Sequence, residues 1–417
     1  MDRKHINRCG KWLRRLLGIT AGIALAGCGA ETPGQSEPAK PGVSQGQIME
    51  VPVGSFMGAW RVSIPLAQEQ VTRISLNEDK VFVLTSDGKL YWIERATGVT
   101  RAVADVAEKG DKVFDPVTLK NRVVVPTEKR LVVFEPNGKR SYSVNLRYNA
   151  SSGAVGEGGA LFLGVDHPRQ GRVQAVDTKF QPYDISPIWE LATGGQVRSR
   201  PAVFQGAVFA GSRDGAVYGI RGENRDVLWP ILDNGVFQTG APIVADLAAD
   251  KDGVFVASTD TKLYCIHAAT GKVRWTYYAG VALKEDSAPV SAGSFVYIYV
   301  PGKGLVAIDK TGQAELRLAK WVVEDARQVL AIDEKNTYVR MADNSIAGVE
   351  RATGQVKMRS SRKDFVAFAS NVNFKELGTI YAATSAGTVM AIKPVTKPGA
   401  VGEWVLAPAD TDALAGR

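Results

Sequence analysis

Cysteine and histidine are nearly missing from this chain, with three of each among 417 residues. His5 lies in a basic N-terminal stretch, and His167 and His267 stand alone with no second ligand at metal spacing, so no histidine metal centre is expected. The segment Asp246, Asp250 and Asp252 in ADLAADKDG lacks the full ligand series and closing Glu of a calcium loop, and reads as a solvated turn. There is no G-x-S-x-G elbow, no Ser-x-x-Lys in a credible setting and no glycine-rich phosphate loop. Sites for nucleophilic, phosphoryl-transfer or metal chemistry are therefore not apparent, and no cofactor or metal is expected.

Long apolar runs are also scarce. The one near the N-terminus, residues 16 to 27, is too short to span a bilayer and follows Arg3, Lys4, Arg8, Lys11, Arg14 and Arg15, the layout of an export signal. Leu25-Ala26-Gly27-Cys28 resembles the bacterial lipobox, in which cleavage leaves the cysteine carrying the lipid. The expectation is a signal peptide over 1 to 27, a lipidated Cys28, and a destination at the outer membrane facing the periplasm, since Gly29 stands where an aspartate would resemble a retention signal. Arg14-Arg15 faintly resembles a twin-arginine signal, so the Sec and Tat routes both stay open.

Without that leader the chain keeps 45 basic and 42 acidic residues, a formal +3 instead of +8, and compositional support for nucleic-acid binding falls away. Cys9 leaves with the leader and Cys28 is lipidated, which leaves Cys265 alone and excludes an intramolecular disulfide. From 28 to 50 the sequence is rich in Pro, Gly, Ser and Gln, the composition of a disordered tether, and about twenty such residues span roughly 25 Å.

What is present in abundance is one repeated unit. Leu90, Leu131, Val173, Val217, Leu263, Leu305, Ile346 and Val389 open equivalent apolar runs at spacings of 41, 42, 44, 46, 42, 41 and 43 residues. A period near 43 carrying only strand signals predicts an all-β, eight-bladed β-propeller of four-stranded antiparallel blades over 51 to 407, with a tail at 408 to 417. The runs are apolar at consecutive positions, as sheets covered on both faces are. Asp87-Gly88 and Asp214-Gly215 mark tight hairpins, and Thr97-Gly98, Thr270-Gly271, Thr311-Gly312 and Thr353-Gly354 mark the next turns.

After that turn each unit places one recurring residue: Ala102, Tyr142, Trp189, Trp229, Trp275, Leu316, Met358 and Trp404. Because they follow the blade period, these residues are expected to pack between blades. Trp60 in GAWRVSIPL adds a ninth position for eight slots, and its strand is favoured over that of Trp404 for closing the ring. In 253 to 277, GVFVASTDTKLYCIHAATGKVRWTY, and in 207 to 229, the unit resembles the pyrroloquinoline-quinone-type (PQQ) propeller repeat.

Departures from the repeat point to function. In a four-stranded meander, the loop between second and third strands and the loop between blades open on one face. Residues 166 to 172 (DHPRQGR), GGQVRSRPAV after Trp189, and SRDG at 212 to 215 should gather Arg169, Arg172, Arg198, Arg200 and Arg213 there, a rim suited to acidic groups. The lipobox, the tether, the early GAW strand and the eight repeats together resemble the BamB family of outer-membrane protein assembly factors. That resemblance implies a lipid-anchored, non-enzymatic scaffold that binds protein, namely the POTRA domains of a BamA-type barrel, through loops near the third and fourth blades. It carries the contact to Val197 and Arg198, where this sequence matches part of the family's L-x-L-R-G-x-S-A-P segment with two fewer intervening residues and no Gly.

Two other functions compete with this one. A quinoprotein dehydrogenase would need Ca²⁺ ligands and, frequently, adjacent cysteines, which the sequence does not have. A propeller binding polysaccharide or peptidoglycan would need aromatic platforms, for which Tyr148, Tyr183 and Phe237 are the scattered candidates.

Overall fold

The computed structural model describes residues 49–50, 53–120, 122–177, 187–229, 236–373, 377–402 and 405–406. The leader, Cys28, the tether to residue 48, Tyr183 and Trp404 lie outside the described residues.

Each repeat folds as one antiparallel sheet whose strands pair in chain order, and eight such sheets form the blades of a propeller. Blade one shows the plan: Val71–Leu76, Lys80–Thr85, Lys89–Glu94 and Thr100–Asp105. Its two central strands are buried almost throughout while the fourth is half exposed, so the consecutive apolar residues are explained by cover on both faces. The only helical element among the described residues is a three-residue 3₁₀ turn, Glu285–Ser287.

The ring closes through the N-terminal strand. Phe56–Ser63 pairs antiparallel with Thr388–Pro394, so blade eight takes its fourth strand from the other end of the chain, as favoured from Trp60. Arg95 of blade one then knits the closure. Its carbonyl accepts the Trp60 indole N–H at 2.9 Å, and its buried guanidinium donates to the Tyr381 hydroxyl at 3.0 Å and Asn371 Oδ1 at 2.6 Å, both in blade eight.

The same joint recurs elsewhere. Trp189 donates to the Gly222 carbonyl, Trp229 to that of Ala268 and Trp321 to that of Arg351, each 2.8 to 2.9 Å away in a turn of the following blade. This explains the glycine of the Thr-Gly turn. Gly98 and Gly354 adopt φ of 75° and 80°, and a Cβ there would come within 2.7 Å of the Trp60 ring and 2.5 Å of Trp321. The turn thus needs glycine for its backbone and for the indole above it.

Two positions depart from the expected pattern. In blade six the interblade residue is Trp321, and Leu316 is 60% exposed, paired instead in parallel with the outer strand of blade five. An insertion between Thr311-Gly312 and Trp321 displaces the aromatic, so fixed spacing from the turn picks the wrong residue. In blade one the expected position falls on Ala102, and Trp92 from the third strand fills the joint, edge-on to Phe82 and Phe134 at 5.0 and 5.4 Å.

Candidate functional site

The loop from 193 to 201 joins blades three and four and contains most of the residues picked out by the sequence. Its two glycines let it lie directly on the 212–215 hairpin: a Cβ on Gly194 would meet Asp214 Oδ2 at 2.2 Å, and one on Gly195 the Asp214 nitrogen at 2.5 Å. Tyr218 Oη accepts from the Gly194 N–H at 3.0 Å, and the Arg213 N–H donates to the Gln196 carbonyl at 2.9 Å. Ser151 donates to the Val197 carbonyl at 2.6 Å, Ser199 to that of Gly211 at 3.0 Å, and Asp246 accepts the Arg200 N–H at 2.8 Å. A loop tied at this many points is ordered before any partner arrives, which lowers the entropy lost on binding.

Val197 anchors that loop. Its side chain is fully buried in the core shared by blades three and four, and Gly164 leaves the space it occupies. Its side chain therefore has no surface to offer a partner, and it holds Arg198 beside it at the surface.

Three of the five arginines meet carboxylates, so the five do not form an uncompensated cationic rim. Arg172 is paired with Glu190 within blade three and only a quarter exposed. Arg198 lies 3.5 Å from Asp166 and bonds Gln196. Arg200 turns toward the inner strands, 3.4 Å from Asp246 and 3.9 Å from Asp115, and Asp115 in turn faces Arg73 at 3.4 Å. The result is a line of alternating charge, Arg73, Asp115, Arg200, Asp246, across four blades. Arg169 and Arg213 are exposed, and their side chains pair with no carboxylate among the described residues. Asp115 was missed by sequence reasoning because it sits in another repeat, whereas Asp166 stands in the 166–172 loop and Asp246 in ADLAADKDG, and what the sequence did not reveal is their pairing with Arg198 and Arg200.

Among the described residues, the aromatic candidates Tyr148 and Phe237 do not assemble into a platform. Tyr148 stacks edge-on with His167 at 4.7 Å in blade three's approach, while Phe237 packs against Tyr264 at 5.4 Å on another blade. His167 is held below the usual imidazole range, first by desolvation and then by the Arg172 charge.

The acidic segment near 250 is also resolved. Lys310 is 4% exposed and reaches Asp250 at 2.6 Å, Asp252 at 3.0 Å and Ser291 at 2.9 Å, so an ammonium sits between the two carboxylates where a cation would otherwise bind. Burial tends to raise the Asp250 carboxyl, yet the hydrogen bonds from Lys310 and Ser291 hold it below its ordinary value. Among the described residues no three His, Cys, Asp or Glu side chains converge as a metal site would require. Cys265 is buried, and burial pushes its thiol up to about 12, leaving it unreactive at neutral pH. On the opposite face a cleft of about 990 Å³ between blades two and four is lined by Lys120, Arg122 and Arg221 together with Glu135, Glu157, Asp177 and Glu223, a mixed lining with no cluster of one sign.

Comparison with solved structures places this geometry among propellers of very different roles. BamB from Moraxella catarrhalis superposes with a TM-score of 0.61 at 14% identity, over 81% of this chain and 97% of that one. The computationally designed Ika8 protein gives 0.60 at 16% identity, over 79% and 98%. A quinohemoprotein alcohol dehydrogenase, ADHIIG from Pseudomonas putida, gives 0.61 at 13% identity, over 82% and 77%. At such identities these likenesses speak to the fold alone. No curated protein matches the sequence. The family model described as outer membrane protein assembly factor BamB matches residues 135–278, 236–327 and 279–397, which together cover more than half of the chain. With its eight PQQ-type blades and this match, the chain belongs to the family of outer membrane protein assembly factor BamB.

Proposed function

We propose that this protein is a lipid-anchored, periplasm-facing scaffold at the outer membrane that assists β-barrel protein assembly by binding protein, its partner being the POTRA domains of a BamA-type barrel. The observation that carries this reading is the pre-ordered 193–201 loop, which holds the 41%-exposed Arg198 beside a buried Val197 and next to the exposed Arg213. The family match supports the partner class, and Cys28 in its lipobox-like setting supports the anchor. Arg169 and Arg213 extend the same surface, whereas Arg200 contributes by bracing the loop through Asp246.

Binding is proposed over catalysis because the residues present do not fit a quinone and its Ca²⁺. Asp250 and Asp252 are committed to Lys310, and the one cysteine among the described residues is buried. No reaction step is assigned.

The test is recovery of a POTRA-containing fragment by the immobilised protein. Arg198→Glu removes the ion pair with Asp166 and reverses the surface charge, and should lower recovery about ten-fold with the melting temperature unchanged. Equal recovery by the variant and the parent would overturn the assignment. Metabolic labelling with a palmitate analogue should mark the parent and not Cys28→Ser, and a label that persists in the variant would overturn the anchor.

A further inference from the structure

The insertion that displaces Trp321 in blade six leaves a fifth strand on the rim of blade five. Leu316–Arg317 pairs in parallel with Val273–Tyr278, Leu316 beside Thr276 and Arg317 beside Tyr277, and it is the last strand of its sheet. The Thr276 N–H donates to the Glu315 carbonyl at 2.8 Å, so the backbone groups of residues 315 and 317 point inward, toward blade five. An extended chain alternates the direction of its backbone groups, so those of Leu316 and Leu318 point outward, and among the described residues no strand lies beyond to receive them.

The side chains follow the same alternation. Leu316 and Leu318 are 60% and 81% exposed, and Tyr278, on the strand beside theirs, is 60% exposed. Arg317 turns the other way and is buried, its guanidinium 5.6 Å from the centre of the Trp275 ring and bonded to the Gly312 carbonyl. Its Nε finds no acceptor among the described residues. Sheet edges are ordinarily blunted by lysine, proline or a bulge, because a bare edge is a template for another strand. Here the two outward positions are both leucine.

This edge is complementary to itself about a two-fold axis. In antiparallel pairing centred on Arg317, Leu316 of one copy lies opposite Leu318 of the other, and since both point their backbone groups outward, each such pair exchanges two hydrogen bonds and no outward group is left over. The four leucines then share one face beside the two Tyr278 side chains. On the other face Glu315 of each copy stands diagonal to Arg317 of its partner, a carboxylate brought toward a guanidinium whose Nε is unpartnered. We propose that this edge is a self-association surface: a second copy of the chain adds its own 316–318 segment antiparallel to it, and the two blades five become one continuous sheet. Three residues a side bury far less than the roughly 800 Å² per partner of a stable complex, so the dimer is weak, with a Kd of about 100 μM.

Sedimentation equilibrium of the full-length protein in density-matched detergent tests this, over a concentration range from about one tenth to five times that Kd. A reversible monomer–dimer equilibrium is the expected result. Leu316→Pro deletes an N–H that the folded monomer does not use, and Leu318→Asp sets a carboxylate among the leucines; each should weaken association at least about ten-fold with the melting temperature unchanged. Glu315→Lys alters an exposed side chain without touching the edge itself and should weaken association about three-fold. Leu377→Asp, at a 55%-exposed leucine of blade eight, should leave it unchanged. A parent that stays monomeric throughout overturns the proposal, including one whose edge instead takes up a labelled peptide of alternating valine and threonine. So does a dimer that forms as readily in Leu316→Pro, Leu318→Asp and Glu315→Lys as in the parent.

Discussion

The loop face at blades three and four and the inner strands of blade seven are both furnished with arginine, and they use it in opposite ways. At blades three and four, Arg172, Arg198 and Arg200 each meet a carboxylate, Glu190, Asp166 and Asp246. On blade seven, Arg327 leans on Tyr299 of blade six and Arg340 on Phe368 of blade eight, and neither meets a carboxylate among the described residues. Arginine in a loop is thus no measure of surface charge, because the ring geometry decides which of these residues meets a carboxylate.

Perturbing paired and unpaired cations should therefore give very different stability changes. The largest effect is expected at the most buried pair: Lys310→Met leaves Asp250 and Asp252 facing each other and should cost about 3–5 kcal/mol in urea unfolding. A loss below about 1 kcal/mol would show that this cluster behaves like a surface pair.

Next comes the acid limb. Burial tends to raise the Asp343 carboxyl, but Ser345, Lys363 and Arg359 hold it well below its ordinary value, and Asp250 is lowered similarly by Lys310 and Ser291. Carboxyls depressed in the folded state contribute stability above their unfolded pKa, near 4, and that contribution is lost as pH falls toward the folded value. Unfolding monitored between about pH 5 and pH 2 should show this loss, and Asp343→Asn should flatten part of it. An unchanged pH slope would remove Asp343 from the account.

Smaller still, Arg200→Gln should cost at most about 1 kcal/mol, since its partners Asp115 and Asp246 are well exposed. Arg340→Gln should be neutral or slightly stabilising, because it removes a half-buried charge that has no carboxylate partner among the described residues. If Arg340→Gln destabilised more than Arg200→Gln, the contrast between the two regions would fail.

Much of the architecture was legible from the chain because a blade is a local object. Its strands, hairpins and Thr-Gly turns lie within about one period, and at Gly98 and Gly354 the turn glycine has the same physical reason, the indole packed above it. Blade six escaped because an insertion moved Trp321 away from its expected distance; the tryptophan itself was the better marker than the spacing. The site was less legible. Arg200 finds Asp246 in the next repeat and Asp115 two blades back, pairings that no spacing rule reveals. Val197 did leave a signal: an apolar residue alone in the polar loop GGQVRSR is more economically an anchor than a contact. Arg340 left another, a charge placed inside the largely buried strand NTYVRM.

The pairing of Phe56–Ser63 with Thr388–Pro394 also sets an order of events. The strand synthesised first cannot find its partner until the eighth blade exists, and the loop-closure entropy of nearly the whole folded body is met in that one step. Until then the molecule is an arc with an exposed sheet edge at blade eight, open to pairing with other chains. Ring completion is therefore expected to be the slow, aggregation-sensitive stage of its biogenesis, with the Arg95 hub as the latch that ends it.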